Sequence, residues 1–474
     1  MERQTKIVCT IGPATDSPDM IPRLVEAGMN VARLNFSHGT HEWHARVVSL
    51  IREISAELST PVAILQDLSG PKIRTGAIAS SSATVLSSGS TFTLVGEEVP
   101  GDERRVSVTH FGALAEKLRP GNGIFLADGS IQLRVVDIDG VGIRCEVITG
   151  GELRSRQGIN VPDVSLDVPA VTEKDLADLD FGMDEGVDFV ALSFVRRASD
   201  LMPVKDAIQR KGLDTPVIAK IEKHEALDNI DEITDVADGI MIARGDLGIE
   251  IPLERVPVMQ KMIINKAGIK GKPVITATQM LESMIEHARP TRAEVTDVAN
   301  AIFDGTDAVM LSGETAIGRY PAETVATMTT IAARAEAAWL RNEVTELPEL
   351  ATASSIDSTI AYLSHLAALR LEAAAVVTYT QSGSTARRVC RHRPRVPILA
   401  LTPQPTTRRK LALSWGVWPV LSDEIRSLAE VSDNAVEQVQ RNGLARSGDT
   451  IVVTAGTPLG APGNTNLLKV ENVP

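Results

Sequence analysis

Residues 216–246 read PVIAKIEKHEALDNIDEITDVADGIMIARGD. Two aliphatic runs, Pro216–Glu222 and Gly239–Gly245, flank a helical stretch. Lys220 and Glu222 close the first run; Arg244, Gly245 and Asp246 close the second. Both runs are continuously apolar rather than alternating, the mark of parallel strands covered on both faces. Such a unit implies a parallel sheet with its polar groups gathered at the strand ends.

Outward from this unit the pattern repeats. Lys6–Gly12, Asn30–Phe36, Val62–Leu68, Asp188–Phe194, Pro273–Met280 and Asp307–Ser312 read as six further buried strands, separated by helical patterns such as EWHARVVSLIREISAEL and ETVATMTTIAARAEAAW. Eight βα units closing on themselves make a TIM (β/α)8 barrel, whose chemistry lies at the C-terminal strand ends. The interval between the third and fourth strands is too long for one crossover. Residues 77–167 carry short alternating runs broken by DG and GG turns, which predicts a small antiparallel β domain inserted in a barrel loop. After the barrel, AVVTYT, VPILALT and DTIVVTAGT restart a strand pattern and predict an open α/β domain. The expected domains are residues 1–70 with 169–338 (barrel), 71–168 (inserted lid, a small antiparallel β-barrel) and 339–474 (C-terminal α/β domain).

Composition agrees. The 474 residues fit roughly three domains. A 43% hydrophobic and 3% aromatic content calls for cores of Ala, Val, Ile and Leu. The net charge of −13 argues against nucleic acid or a polybasic membrane surface as partner, but a local cluster of Arg and Lys can still bind a small anion. Cys9, Cys145 and Cys390 are far apart, with no metal or redox spacing, which fits a reducing compartment. No apolar run reaches the ~18 residues of a membrane span, and KIVCTIG begins too early to leave room for a signal peptide. A cytoplasmic location is expected.

The strand ends supply the candidate chemistry: Arg33, Asn35, Ser37 and His38 from the second, Asp67 and then Arg74 from the third, Lys220 and Glu222, Gly245 and Asp246, Thr276 and Thr278, Ser312 and Glu314. Two carboxylates on neighbouring strands, Glu222 and Asp246, can hold one hard cation such as Mg²⁺; each alone could equally be a helix cap or an ion-pair partner. Lys220 can neutralise charge on a phosphoryl group or an enolate, form a Schiff base, or serve a salt bridge. Backbone N–H groups at the Gly245–Asp246 turn can bind a carboxylate or phosphate. His38, His41 and His44 lack a zinc spacing, and the latter two are expected on a helix surface. TYTQSGST in the last domain is a plausible phosphate cradle or an ordinary βα loop.

Taken together, KIVCTIGPAT, NVARLNFSHGTHEWH, DLSGPKIRTG, IAKIEKHEAL, GIMIARGDLGIEIP, ITATQMLESM, RPTRAEVTDVANAIFDGTDAVMLSGETAIGRYP and VTYTQSGSTARRV resemble the pyruvate kinase family, in family order. The resemblance implies phosphoryl transfer from phosphoenolpyruvate to ADP, giving ATP and pyruvate. It implies Arg33 on the phosphoryl group, Lys220 stabilising the transition state, and Glu222 and Asp246 on Mg²⁺. Gly245, Asp246 and Thr278 would position the substrate carboxylate, with Thr278 near the protonated carbon. Asn35, His38 and Arg74 would serve the nucleotide, and Asp128 would face the cleft from the lid. Many members hold K⁺ through positions equivalent to Asn35, Ser37, Asp67 and the Leu68 carbonyl, with a Glu where this chain has Lys72; K⁺ is therefore expected not to be required. On the lid, Gln157 stands where a Lys is common, with Arg156 beside it. The family also implies a homotetramer and a phosphorylated effector at Thr380, Ser382, Gly383, Ser384 and Thr385, whether fructose bisphosphate, a sugar monophosphate or AMP. The alternatives are a degenerate metabolite sensor and a metal-dependent barrel lyase or aldolase.

Overall fold

The computed structural model describes residues 3–79, 83–162, 164–166, 168–340, 355–425, 427–458 and 464–474. Residues 80–82 of the Ser-rich stretch and 341–354 of the expected third domain lie outside the described residues.

Among the described residues, eight parallel strands close a barrel: β1 (Lys6–Thr10), β2 (Val31–Asn35), β3 (Ala63–Leu68), β4 (Phe189–Leu192), β5 (Val217–Ile221), β6 (Gly239–Ala243), β7 (Val274–Ala277) and β8 (Ala308–Leu311). Each pairs with its sequence neighbours, and β8 pairs with β1. Alternation along the strands divides two cores. Val8, Val31, Ala63, Leu65, Ala191, Ile218, Met241 and Ile275 pack inside the barrel, whereas Ile7, Ala32, Ile64, Val190, Val217 and Ile240 pack outward against the helices. Both sets are apolar, which is why the sequence shows runs and no alternation.

This parity also delivers the site. Continuing the inward set toward the strand ends by steps of two gives Thr10, Arg33, Asp67, Ser193, Lys220 and Glu222. The strands begin as apolar core and finish as a polar rim.

The insert lies between β3 and β4, as expected. Among the described residues its strands form a six-stranded sheet and a separate two-stranded ribbon (Thr84–Leu86 with Gly151–Leu153), and their pairing does not close into a barrel. One pair, Thr91–Val95 with Arg105–Ser107, is parallel, because the connecting residues 96–104 carry the chain back to the starting end of the sheet before the second strand begins. A core of its own, including Phe92, Leu94, Ile124, Leu133 and Val147, supports this layer.

The C-terminal sheet has five strands in the order 417–421, 398–402, 375–379, 450–456, 465–472, all parallel except the last. Ala412 and Leu413, in the short turn Leu411–Leu413 between two of its strands, join the interior barrel core at the barrel floor. Ion pairs Arg393–Asp307 (3.0 Å), Arg409–Asp188 (2.7 Å) and Lys410–Asp214 (2.6 Å) fasten the two units. No helix among the described residues is long and apolar enough to cross a membrane.

Candidate active site

Asp67 is the hub of the rim. Arg33 Nε donates to its Oδ2 at 2.7 Å, and Lys220 Nζ lies 3.1 Å from its Oδ1. Arg33 Nη1 also donates to Thr10 Oγ1 (2.9 Å), which fixes the guanidinium across β1, β2 and β3. Burial would raise the Asp67 carboxyl, but Lys220 and Arg33 outweigh it and hold the group below the usual carboxylate range.

Lys220 is gripped from three strands. Its Nζ donates to Ser193 Oγ (2.7 Å) and pairs with Glu222 Oε1 (2.8 Å) as well as with Asp67. Burial disfavours the ammonium, yet Asp67 and Glu222 together keep it charged and push its pKa above the ordinary lysine value. A Schiff-base lysine needs the neutral amine, so this setting favours the charge-stabilising role. Ser193, which in turn donates to the Leu68 carbonyl (2.8 Å), escaped the sequence reading; the parity of β4 would have revealed it.

Glu222 Oε2 accepts the Phe194 N–H at 2.9 Å, so its carboxylate is fixed from both sides. Across the cleft, Asp246 lies in the short helix Arg244–Glu250 that starts as soon as β6 ends. Burial, and next the charge of Glu222, push the Asp246 carboxyl up to about 6, against the pull of Lys72 and Lys220. Two all-oxygen donors close enough to repel one another fit a hard divalent cation.

Thr278 and Gly245 are locked together. Gly245 N–H donates to Thr278 Oγ1 (2.8 Å) and that hydroxyl donates to the Ala277 carbonyl (2.6 Å). The strand predicted to run to Met280 stops at Ala277, because Thr278 (φ 69°) and Gln279 (φ 57°) adopt left-handed backbone. For a β-branched residue that conformation is costly. Arg244 holds it: Nη2 donates to the Thr278 carbonyl (2.7 Å), and the guanidinium grips both oxygens of Asp297 at 2.7 Å.

A positive wall faces these carboxylates. The His38 imidazole is held below its usual pKa by burial first, then by Arg74, Lys72 and Arg33. Arg74 is oriented by the lid, its Nη1 donating to the Arg156 carbonyl (3.1 Å). Lys72 runs under the lid: a Cβ on Gly158 would lie 2.9 Å from Lys72 Cε and 3.8 Å from Asp128 Oδ1. Among the described residues, no hydrogen bond joins the Lys72 ammonium to Asn35, Ser37, Asp67 or Leu68. Asn35 Oδ1 instead accepts the Ser37 N–H (3.1 Å). Asp128 sits in a left-handed turn (φ 52°) with Gly129 against Ile249. Gln157 Oε1 accepts the Arg154 N–H (3.1 Å), so it caps its own lid turn.

Several rim expectations change. Thr276 points outward and bonds Thr306 Oγ1 (2.9 Å) in full burial, since only every second residue of β7 faces inward. Glu314 is buried and braces two loops by accepting the Ser312 (2.7 Å) and Leu281 (3.2 Å) N–H groups. His44 is not on a helix surface: it is 1% exposed, stacked on Phe36 and bonded to the His38 carbonyl (3.0 Å), whereas His41 is half-buried against Phe181.

The Thr380–Thr385 loop lies elsewhere, on the floor side of the barrel. Gly383 (φ 82°) precedes the helix Ser384–Cys390, Thr385 Oγ1 shares a hydrogen bond with Thr465 Oγ1 (2.8 Å), and the buried Thr380 hydroxyl has no partner among the described residues. Ser382 and Ser384 line a cleft of ≈ 510 Å³ with Arg387, Arg388, Arg391 and Lys410.

Comparison with known proteins agrees with this geometry. The family model "Pyruvate kinase, barrel domain" matches residues 2–325, and "Pyruvate kinase, alpha/beta domain" matches residues 358–471. The chain is 48% identical to a pyruvate kinase of Geobacillus stearothermophilus (99% of this chain, 80% of the relative). It is 45% identical to that of Clostridium acetobutylicum (99% and 100%) and 47% identical to pyruvate kinase 2 of Synechocystis (100% and 80%). With both domain models matched in order and relatives aligned along the whole chain, this protein belongs to the pyruvate kinase family, enzymes that transfer the phosphoryl group of phosphoenolpyruvate to ADP.

Proposed function

We propose that phosphoryl transfer is carried out at the rim where Arg33, Asp67, Lys220 and Glu222 meet. The observation that carries this reading is the hydrogen-bonded chain from Thr10 through Arg33 and Asp67 to Lys220 and Glu222. It presents two fixed cations, Arg33 and Lys220, with Glu222 bonded beside Lys220 and Asp246 across the cleft. Such preorganised charge needs no rearrangement when charge shifts from phosphoryl to enolate oxygen. Arg33 takes the phosphoryl group and Lys220 the charge that develops during transfer. Arg74, His38 and Asn35 receive the nucleotide.

Glu222 and Asp246 are the residues to hold Mg²⁺, whose chemistry when bound is to neutralise phosphoryl and enolate oxygens. Thr278 and the Gly245–Asp246 turn orient the substrate carboxylate, the Gly245 N–H being held by the Thr278 hydroxyl. Thr278 also stands nearest the carbon to be protonated. The lid, with Asp128 in its turn, excludes water that would intercept the phosphoryl group.

Lys72 supports activity without K⁺, its charge acting on Asp246 from the same wall. The basic cleft at Ser382 and Ser384 suits a phosphorylated effector. Exposed Leu253, Val258 and Ile317 on the barrel's outer face suit burial in a homotetramer. A cytoplasmic location follows from the reaction's substrates. The test is a lactate dehydrogenase-coupled assay with phosphoenolpyruvate, ADP and Mg²⁺. Activity abolished by Glu222→Gln and by Asp246→Asn supports the assignment, and turnover that survives both refutes it.

A further inference from the structure

Behind the rim, one carboxylate joins three segments. Glu250 is the last residue of the helix Arg244–Glu250, and its side chain is 0% exposed. Its Oε1 pairs with Lys223 Nζ at 2.6 Å and accepts from Asn160 Nδ2 at 3.4 Å; its Oε2 lies 3.2 Å from His224 Nδ1. Lys223 and His224 directly follow Glu222. Asn160 belongs to the lid strand Ile159–Asn160, and the lid makes a second tie nearby, where Ser165 Oγ donates to Glu225 Oε1 (2.8 Å). Glu250 also stands four residues after Asp246, one helical turn further on and on the same face.

We infer that Glu250 is a positioning residue that sets the distance between Glu222 and Asp246. The inference rests on the reading of those two carboxylates as the divalent-cation ligands. They come from different strands, and their own side chains make no bond to each other, so their spacing depends on what cross-links the loop after β5 to the helix after β6. The Glu250 carboxylate is that cross-link, placed one residue beyond one ligand and one turn beyond the other. Its tie to Asn160 carries the same constraint into the lid. His224, Glu225 and Glu250 lie close enough together to hold a metal themselves, but the Lys223 ammonium at 2.6 Å already balances the Glu250 charge. Groups in such an outer shell orient the ligands in front of them, and their loss typically weakens metal affinity about 10- to 100-fold.

The test is Mn²⁺ binding to the full-length protein, followed by electron paramagnetic resonance without substrate, for Glu250→Gln beside Glu222→Gln as control. Glutamine keeps the size and an acceptor oxygen for Asn160 but removes the negative charge that pairs with Lys223 and His224. The expected result is Mn²⁺ binding weakened about tenfold or more in both variants. Wild-type affinity in a folded Glu250→Gln protein, with binding weakened in Glu222→Gln, overturns the positioning role alone. Unchanged affinity in Glu222→Gln overturns the ligand reading and the inference with it. If Glu250→Gln does not fold, Lys223→Gln carries the test, and wild-type Mn²⁺ affinity there overturns the positioning role.

Discussion

Lys220 and Asp67 meet at 3.1 Å inside the barrel mouth, each less than a tenth exposed, with Asp67 shared by Arg33 on its other oxygen. Neither cation can move without leaving a buried carboxylate short of charge. The rim is therefore one electrostatic unit.

Lys220→Met removes the only amine in that unit. Asp67 keeps Arg33 and Glu222 keeps the Phe194 N–H, so the fold is expected to survive. Loss of a preorganised charge should lower kcat by at least about 10²–10³-fold. The coupled assay and circular dichroism together measure this; a folded variant with near wild-type turnover refutes the role.

At Thr278 the hydroxyl pairs with the Gly245 N–H. Thr278→Val keeps the shape and orphans that donor, a loss on the order of 1–3 kcal/mol, or roughly 5- to 150-fold. Expected is a fall in kcat for Val and substantial retention for Thr278→Ser. Equal activity in the two variants would show that the hydroxyl is irrelevant.

Lys72 brings a fixed positive charge to the wall facing Asp246. Replacing K⁺ in the assay by tetramethylammonium should leave most of the velocity. A loss of most activity would falsify independence from K⁺.

The His224–Glu250 pair gives a pH signature. Its hydrogen bond to Glu250 raises the His224 pKa, and although burial opposes Glu250's ionisation, His224 and Lys223 lower its pKa. A raised histidine contributes stability fully below its unfolded pKa of about 6.5 and loses it as pH rises through the folded value. The lowered Glu250 contributes above about 4.5 and loses it on acidification. His224→Gln should therefore lower the urea midpoint most near pH 5.5 and least near pH 8.5. An equal difference at both values contradicts the linkage.

On the barrel floor, Arg393 is 8% exposed, stacks on Trp415 (4.8 Å) and pairs with Asp307. Arg393→Met leaves a buried carboxylate uncompensated and should cost roughly 3 kcal/mol. Equilibrium urea unfolding measures it, and a change below about 0.5 kcal/mol, typical of surface sites, is the contrary result.

By itself the sequence determined the three-part architecture and most of the rim. Continuous apolar runs report parallel strands because both strand faces are buried, and the polar residues at their ends report the position of the rim. Arg33, Asp67, Lys220, Glu222 and Asp246 were legible for that reason. Tertiary structure alone decided which of these residues touch. Inward parity admitted Ser193 and excluded Thr276, although both sit at strand ends. Left-handed backbone at Thr278 ended β7 early, which no run of apolar residues could announce. Glu250 stayed hidden because its partners, Asn160, Lys223 and His224, come from two other segments of the chain. A pair contact between distant segments is fixed by strand register and loop packing, and these depend on the whole fold closing at once.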